Sequence, residues 1–139
     1  MNRRLRSRRG FTLMELLLVL VILGVLAALV VPRFTGRSQQ ARETAAQTDI
    51  ARIATSISSF EIDTGRYPTT DEGLGALMSQ PSNVNGWHGP YLERTPKDPW
   101  GNDYQYRYPG QRNPQGFDLW SFGPDGRDGG NDDIGNWDL

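Results

Sequence analysis

The residues with the means to do chemistry lie at the two ends of the chain. Near the C-terminus, SFGPDGRDGGNDDIGNW (residues 121–137) sets Asp125, Asp128, Asp132 and Asp133 among five glycines. Carboxylates crowded in this way repel one another, and a divalent cation relieves the conflict. Calcium suits such a stretch because it accepts about six to eight oxygens, and glycine-bent turns present main-chain carbonyls beside the side chains. Magnesium fits less well, since it demands tighter octahedral geometry and keeps its water. The spacing matches no EF-hand loop, and Gly-Gly-Asn-Asp only faintly echoes glycine-rich calcium repeats. The same residues also read as a solvated acidic loop. At the other end, Glu15 is the only charge in FTLMELLLVLVILGVLAALVV (residues 11–31). A carboxylate at the bilayer centre costs about 2.5 to 3.5 kcal/mol on insertion scales, so Glu15 requires compensation.

Enzymatic chemistry finds little to work with. His88 is the sole histidine and there is no cysteine, so the chain offers neither a nucleophile and base pair nor a zinc cluster. His88 reads as a loop residue beside Trp87. Asp71 and Glu72 are adjacent at a helix start, where acids complement the helix dipole. The absence of cysteine also excludes disulfides. A head of roughly 75 residues without them often needs another staple, such as a metal or oligomerisation.

The net charge of -1 hides a lopsided layout: residues 1–37 carry seven arginines against Glu15, and residues 116–139 carry six aspartates against Arg127. The early arginines abut the apolar run directly, which marks membrane topology rather than nucleic-acid binding. At about 1.5 Å per residue the run is long enough to span a bilayer core of about 30 Å. The positive-inside rule keeps the arginines cytoplasmic and sends the remainder outward. The plainer alternative is a removable secretory signal with Val25 and Ala27 at its cleavage site, but such a signal has no use for Glu15.

The helical pattern continues beyond the run. Ala46, Ile50, Ile53, Ile57 and Phe60 recur at spacings of three and four, with Arg42, Glu43, Gln47, Asp49 and Arg52 on the other faces, which predicts an amphipathic helix. One helix of about 80 Å is expected from Phe11 to about Asp63, with Gly24, Pro32 and Gly36 as its weak points. Gly65 and Pro68 end it. Thr69 and Glu72 form a capping box that opens a short helix through Met78. Residues 79–99 read as loop. DYQYRY (103–108) and FDLWS (117–121) read as two antiparallel strands joined by a long connection, with the alternate tyrosines packed on the helix.

Gly10-Phe11-Thr12-Leu13-Met14-Glu15 and the apolar run after it resemble the class III signal of type IV pilin-like proteins. The resemblance implies that a prepilin peptidase cuts between Gly10 and Phe11 and methylates the new amino terminus. It also implies that residues 11–31 are retained as a transmembrane and filament-core helix, continued by an amphipathic half over residues 32–63. Glu15 would then face the Phe11 amino group of a neighbouring subunit, compensated between subunits and not within one. Pro32 would mark where the helix kinks or locally melts on assembly.

GRYPTTDEGLGALM (65–78), GPYLERTPKDPWGNDYQYRYPG (89–110) and DIGNWD (133–138) narrow the resemblance to the major pseudopilins of type II secretion systems. Ordinary type IV pilins usually close a C-terminal disulfide, which this chain lacks. The resemblance implies an α+β, type IV pilin-like fold: a basic leader (1–10), the two helix halves, and a periplasmic head (64–139) in which the long helix packs on a small antiparallel sheet. It implies one calcium in the C-terminal loop, held by Asp125 and Asp133, with Asp132 third and the Phe122 carbonyl as a main-chain donor, Asp128 staying solvated. The partners it implies are further copies in a filament, minor pseudopilins, the prepilin peptidase, and an inner-membrane assembly platform with its ATPase. The filament would push folded proteins through an outer-membrane channel. Arg42, Glu43, Asp49 and Arg52 are candidates for ion pairs between subunits. A minor pseudopilin or type IV pilin is the nearest alternative; a secreted calcium-binding domain is more distant.

Overall fold

The computed structural model describes residues 10–139, with side chains at all of these except 30–35. The basic leader, apart from Gly10, lies outside the described residues. The first element, α1, is Leu13–Thr64, 52 residues long. It opens on a capping box: the Thr12 N–H donates to Glu15 Oε2 at 2.9 Å, and the Glu15 N–H donates to Thr12 Oγ1 at 3.2 Å. This reciprocal pair satisfies donors that a helix start otherwise leaves open. At the other end the Gly65 N–H donates to the Glu61 carbonyl at 2.7 Å with φ at +77°, a left-handed stop that glycine adopts without strain. The backbone is helical through Pro32. The Pro32 side chain, and the assembly role given to it, lie outside the described residues.

Two compact units divide the chain, residues 1–39 and 40–139. In the first, the helix is exposed on every side from Leu13 to Leu29. Among the described residues no helix is long and apolar enough to cross a membrane. The run counted in the sequence continues to Val31, whereas its described side chains end at Leu29.

The second unit holds the core. Ala46, Ile50, Ile53, Ile57 and Phe60 are buried, as their spacing predicts, against Leu77, Tyr104, Phe117 and Leu119. Each large apolar side chain removed from water contributes about 1.5 to 3 kcal/mol before entropy is counted. The sheet has three antiparallel strands in the order β1 (Gln105–Arg107), β2 (Asp118–Ser121) and β3 (Ile134–Gly135), with Tyr106 opposite Leu119 and Trp120 opposite Gly135. The sequence reading predicts only two strands. At two residues β3 is too short to carry an alternating pattern, and Asn136 ties it to its neighbour. The Leu119 N–H donates to Asn136 Oδ1 at 3.1 Å, and Asn136 Nδ2 donates to the Phe117 carbonyl at 2.9 Å.

Side chains fix the connections. The Asp118 carboxylate, buried in β2, accepts the backbone N–H groups of Gln111, Arg112 and Asn113 at 2.7 to 3.0 Å. Burial pushes its pKa up, but these three donors outweigh it and hold Asp118 below the usual carboxylate range. The Thr69 and Glu72 box forms as expected, with the Glu72 N–H to Thr69 Oγ1 at 3.2 Å and the Thr69 N–H to Glu72 Oε2 at 2.8 Å. The turn that follows is 3-10 over Gly73–Leu77 rather than α-helical, in keeping with two glycines in five residues. Of the alternate tyrosines, Tyr104 is buried and donates to Asp49 of α1 at 3.2 Å, and half-buried Tyr106 donates to the Pro68 carbonyl at 2.9 Å, whereas Tyr108, beyond the end of β1, stays exposed and does not pack on the helix.

Candidate functional site

The acidic loop begins where β2 ends. Phe122 caps a 3-10 turn over Gly123–Asp125, and Gly126 and Gly129 take positive φ values of 67° and 94°. At Gly123 two requirements coincide, because φ is +68° and a Cβ would run into the Asp132 carbonyl. Only glycine allows the two arms of the loop to cross there. Across this crossing the Asp125 N–H donates to Asp132 Oδ2 at 3.2 Å, and the Arg127 N–H to Asp125 Oδ1 at 2.8 Å. The remaining oxygens, Asp125 Oδ2 and Asp132 Oδ1, both border the space that a Cβ on Gly130 would fill.

Asp133 goes elsewhere. Its Oδ2 accepts the Gly129 N–H at 2.9 Å, while its Oδ1 is buried without a partner. With Asp128 and Asp118 it borders a separate pocket of about 210 Å³ that also holds Arg107 and Arg112. Asp125 and Asp132 thus present oxygens to one space at Gly130, and Asp133 borders another. No three His, Cys, Asp or Glu side chains converge on a metal position among the described residues. An ion here would rely on two carboxylates and several main-chain oxygens. That donor set is all oxygen, with no nitrogen or sulfur, and its flexible glycine arms suit the irregular coordination of calcium.

At the amino end Phe11 is 82% exposed and Gly10 is also at the surface. Glu15 is exposed, and its carboxylate takes both the N–H and the hydroxyl of Thr12, at 2.9 and 3.2 Å. Within its own chain Glu15 is thus a helix-capping acceptor, a role the sequence reading did not assign to it. The signal was legible, since Thr12-x-x-Glu15 is a capping box in the sequence. A capping box leaves the carboxylate its negative charge, so a cationic partner still has something to meet.

Several other polar groups pair within residues 40–139. Arg52 and Asp49 approach to 3.8 Å within one chain. His88 Nδ1 lies 3.8 Å from Asp63 and is largely exposed, and Tyr91 donates to the same Asp63 at 2.7 Å. The Arg66 guanidinium grips Glu72 through two contacts of 2.8 Å and, with the Thr69 N–H, holds the Glu72 pKa down to about 2.

Comparison with known proteins agrees with this architecture. Residues 33–137 match the family model of type II secretion system protein G, and residues 5–31 match the prokaryotic N-terminal methylation motif. The type II secretion system core protein G of Pseudomonas aeruginosa is 48% identical, the match covering 96% of this chain and 97% of that one. The core protein G of Vibrio cholerae is 43% identical over 99% of this chain and 97% of its own. The crystal structure of the major pseudopilin from the type 2 secretion system of enterohaemorrhagic Escherichia coli superposes with a TM-score of 0.68 at 38% identity, covering 75% of this chain and 89% of that one.

A long helix capped by a small antiparallel sheet, with a methylation motif at its start, is the type IV pilin-like fold. The chain belongs to the type II secretion system protein G family, the major pseudopilins. It is a structural subunit of the secretion system and not an enzyme. A pseudopilin with this amino terminus is a membrane-anchored component of the periplasmic pseudopilus.

Proposed function

We propose that the subunit spans the inner membrane once, with its arginine-rich end cytoplasmic and its head periplasmic. Prepilin peptidase removes residues 1–10 and leaves a methylated Phe11. The processed subunit then joins a helical homopolymer with minor pseudopilins, extended by the assembly platform and its ATPase. The growing filament pushes folded cargo through the outer-membrane channel. The observation that carries this reading is a helix exposed on every side from Leu13 to Leu29, with Glu15 exposed near its start and, among the described residues, hydrogen-bonded to the neutral Thr12. Such a surface is stable in water only when lipid or copies of itself cover it. In that packed setting a carboxylate needs an opposite charge, and the Phe11 amino group of the next subunit supplies one. Glu15→Leu and Glu15→Gln subunits are expected to yield few or no fibres when expressed with the secretion machinery and imaged. Fibres as abundant as wild type would overturn the pairing.

The acidic loop is read as a calcium site, supported by the approach of Asp125 and Asp132 around Gly130. Main-chain oxygens, with the Phe122 carbonyl as a candidate, complete the set. Bound calcium would supply charge neutralisation and loop closure. Asp128, exposed, stays solvated; Asp133 holds the Gly129 amide and thereby the bend that aims the other two.

A further inference from the structure

We propose that Asp98 is a positioning residue for the acidic loop, acting through the Ser121 hydroxyl. Asp98 is only 4% exposed and begins the turn Asp98-Pro99-Trp100-Gly101-Asn102. One carboxylate oxygen closes that turn: Oδ1 accepts the N–H groups of Trp100 at 3.0 Å and Asn102 at 2.8 Å. The other oxygen is surplus to the turn. Oδ2 reaches across the fold and accepts the Ser121 hydroxyl at 2.6 Å. The adjacent Lys97 is paired with Asp103 at 2.7 Å instead. Asp98 therefore relies on hydrogen-bond donors, and a buried carboxylate tolerates the loss of one poorly.

This dependence sets a direction. Ser121, fully buried at the end of β2, spends its only proton on Asp98, so its lone pairs accept from elsewhere. They accept the Gly123 N–H at 3.0 Å. Gly123 is the residue over which the Asp132 carbonyl crosses, and that crossing brings Asp132 to Asp125. Asn102, at the far end of the same turn, places Nδ2 3.4 Å from where a Cβ on Gly126 would stand. The Asp98 turn thus supports the start of the 3-10 turn that carries Asp125 through Ser121, and its Asn102 lies beside the end of that turn.

Asp98→Asn tests the relay. Its carboxamide oxygen still closes the local turn, but the second atom becomes a donor facing Ser121. Amide exchange is measured on full-length protein in detergent with chelator present. Exchange across residues 122–133 is expected to rise about tenfold in Asp98→Asn and in Ser121→Ala, with residues 46–60 unchanged and the double variant no worse than either single one. An unchanged loop, or a rise shared in equal ratio by the helix, would overturn the proposal. In a calcium chloride titration, Asp98→Asn should weaken binding about tenfold while Asp71→Asn, with the same charge loss at the surface, leaves it unchanged; equal affinities would count against the relay. Only this second arm rests on the calcium reading. A wild-type protein that takes up no calcium would remove that reading, and exchange alone would then decide the role of Asp98.

Discussion

Glu72 shows how one side chain can make head stability pH-dependent. Held by Arg66 and by Thr69, its pKa falls from the ordinary 4.5 to about 2 in the folded chain. The folded state therefore binds fewer protons than the unfolded one in this range, so stability rises with pH there. The contribution is complete above pH about 4.5 and lost as pH falls toward about 2. Glu72→Gln should remove this acid-limb dependence in urea unfolding and cost about 1 kcal/mol at neutral pH, a figure kept low because Arg66 is partly exposed. Gly123→Ala carries a different penalty. The positive φ and the Asp132 carbonyl in its way should cost about 1 to 3 kcal/mol and show as raised exchange across residues 122–133. At this scale legibility was uneven. Thr12 and Glu15, or Thr69 and Glu72, announce themselves by spacing. Asp132 and Asp133 do not, because adjacent residues in an irregular loop point where the turns send them, and those turns depend on tertiary crossings such as Gly123 over Asp132.

Among the elements, the long helix was legible because its apolar residues repeat at three and four over many turns. The prediction it supports is steep: Ile57→Ala, at a fully buried position, should cost about 2 to 5 kcal/mol in chemical denaturation. Ile62→Ala, on the same helix but 80% exposed, should stay within about 0.5 kcal/mol. The strands were half legible. DYQYRY and FDLWS overshoot β1 and β2 by one to three residues, and β3 was missed because its position comes from Asn136 and from pairing with β2, not from any pattern of its own. The short helix expected from Thr69 through Met78 forms only over Gly73–Leu77, after a turn that the Thr69 and Glu72 box closes, and its 3-10 winding has no signal in the spacing.

For the whole molecule, the absence of cysteine means that no disulfide staples the small head. A calcium ion bound only by the folded loop adds its binding free energy to folding. The melting temperature of the full-length protein should rise with calcium and fall with chelator, and Asp125→Ala should abolish the difference; a transition insensitive to calcium would remove the site. The fold class and family were legible because the resemblance runs from the amino terminus to the last strand.

The claim on which assembly rests is that the apolar helix survives processing with Phe11 at its head. Mass spectrometry of the amino-terminal peptide of the mature subunit, recovered from membranes and from fibres, tests it most directly. The account predicts a peptide that begins at Phe11, carries one added methyl group and retains Glu15; a mature chain beginning near Ala28, with the helix gone, would contradict it.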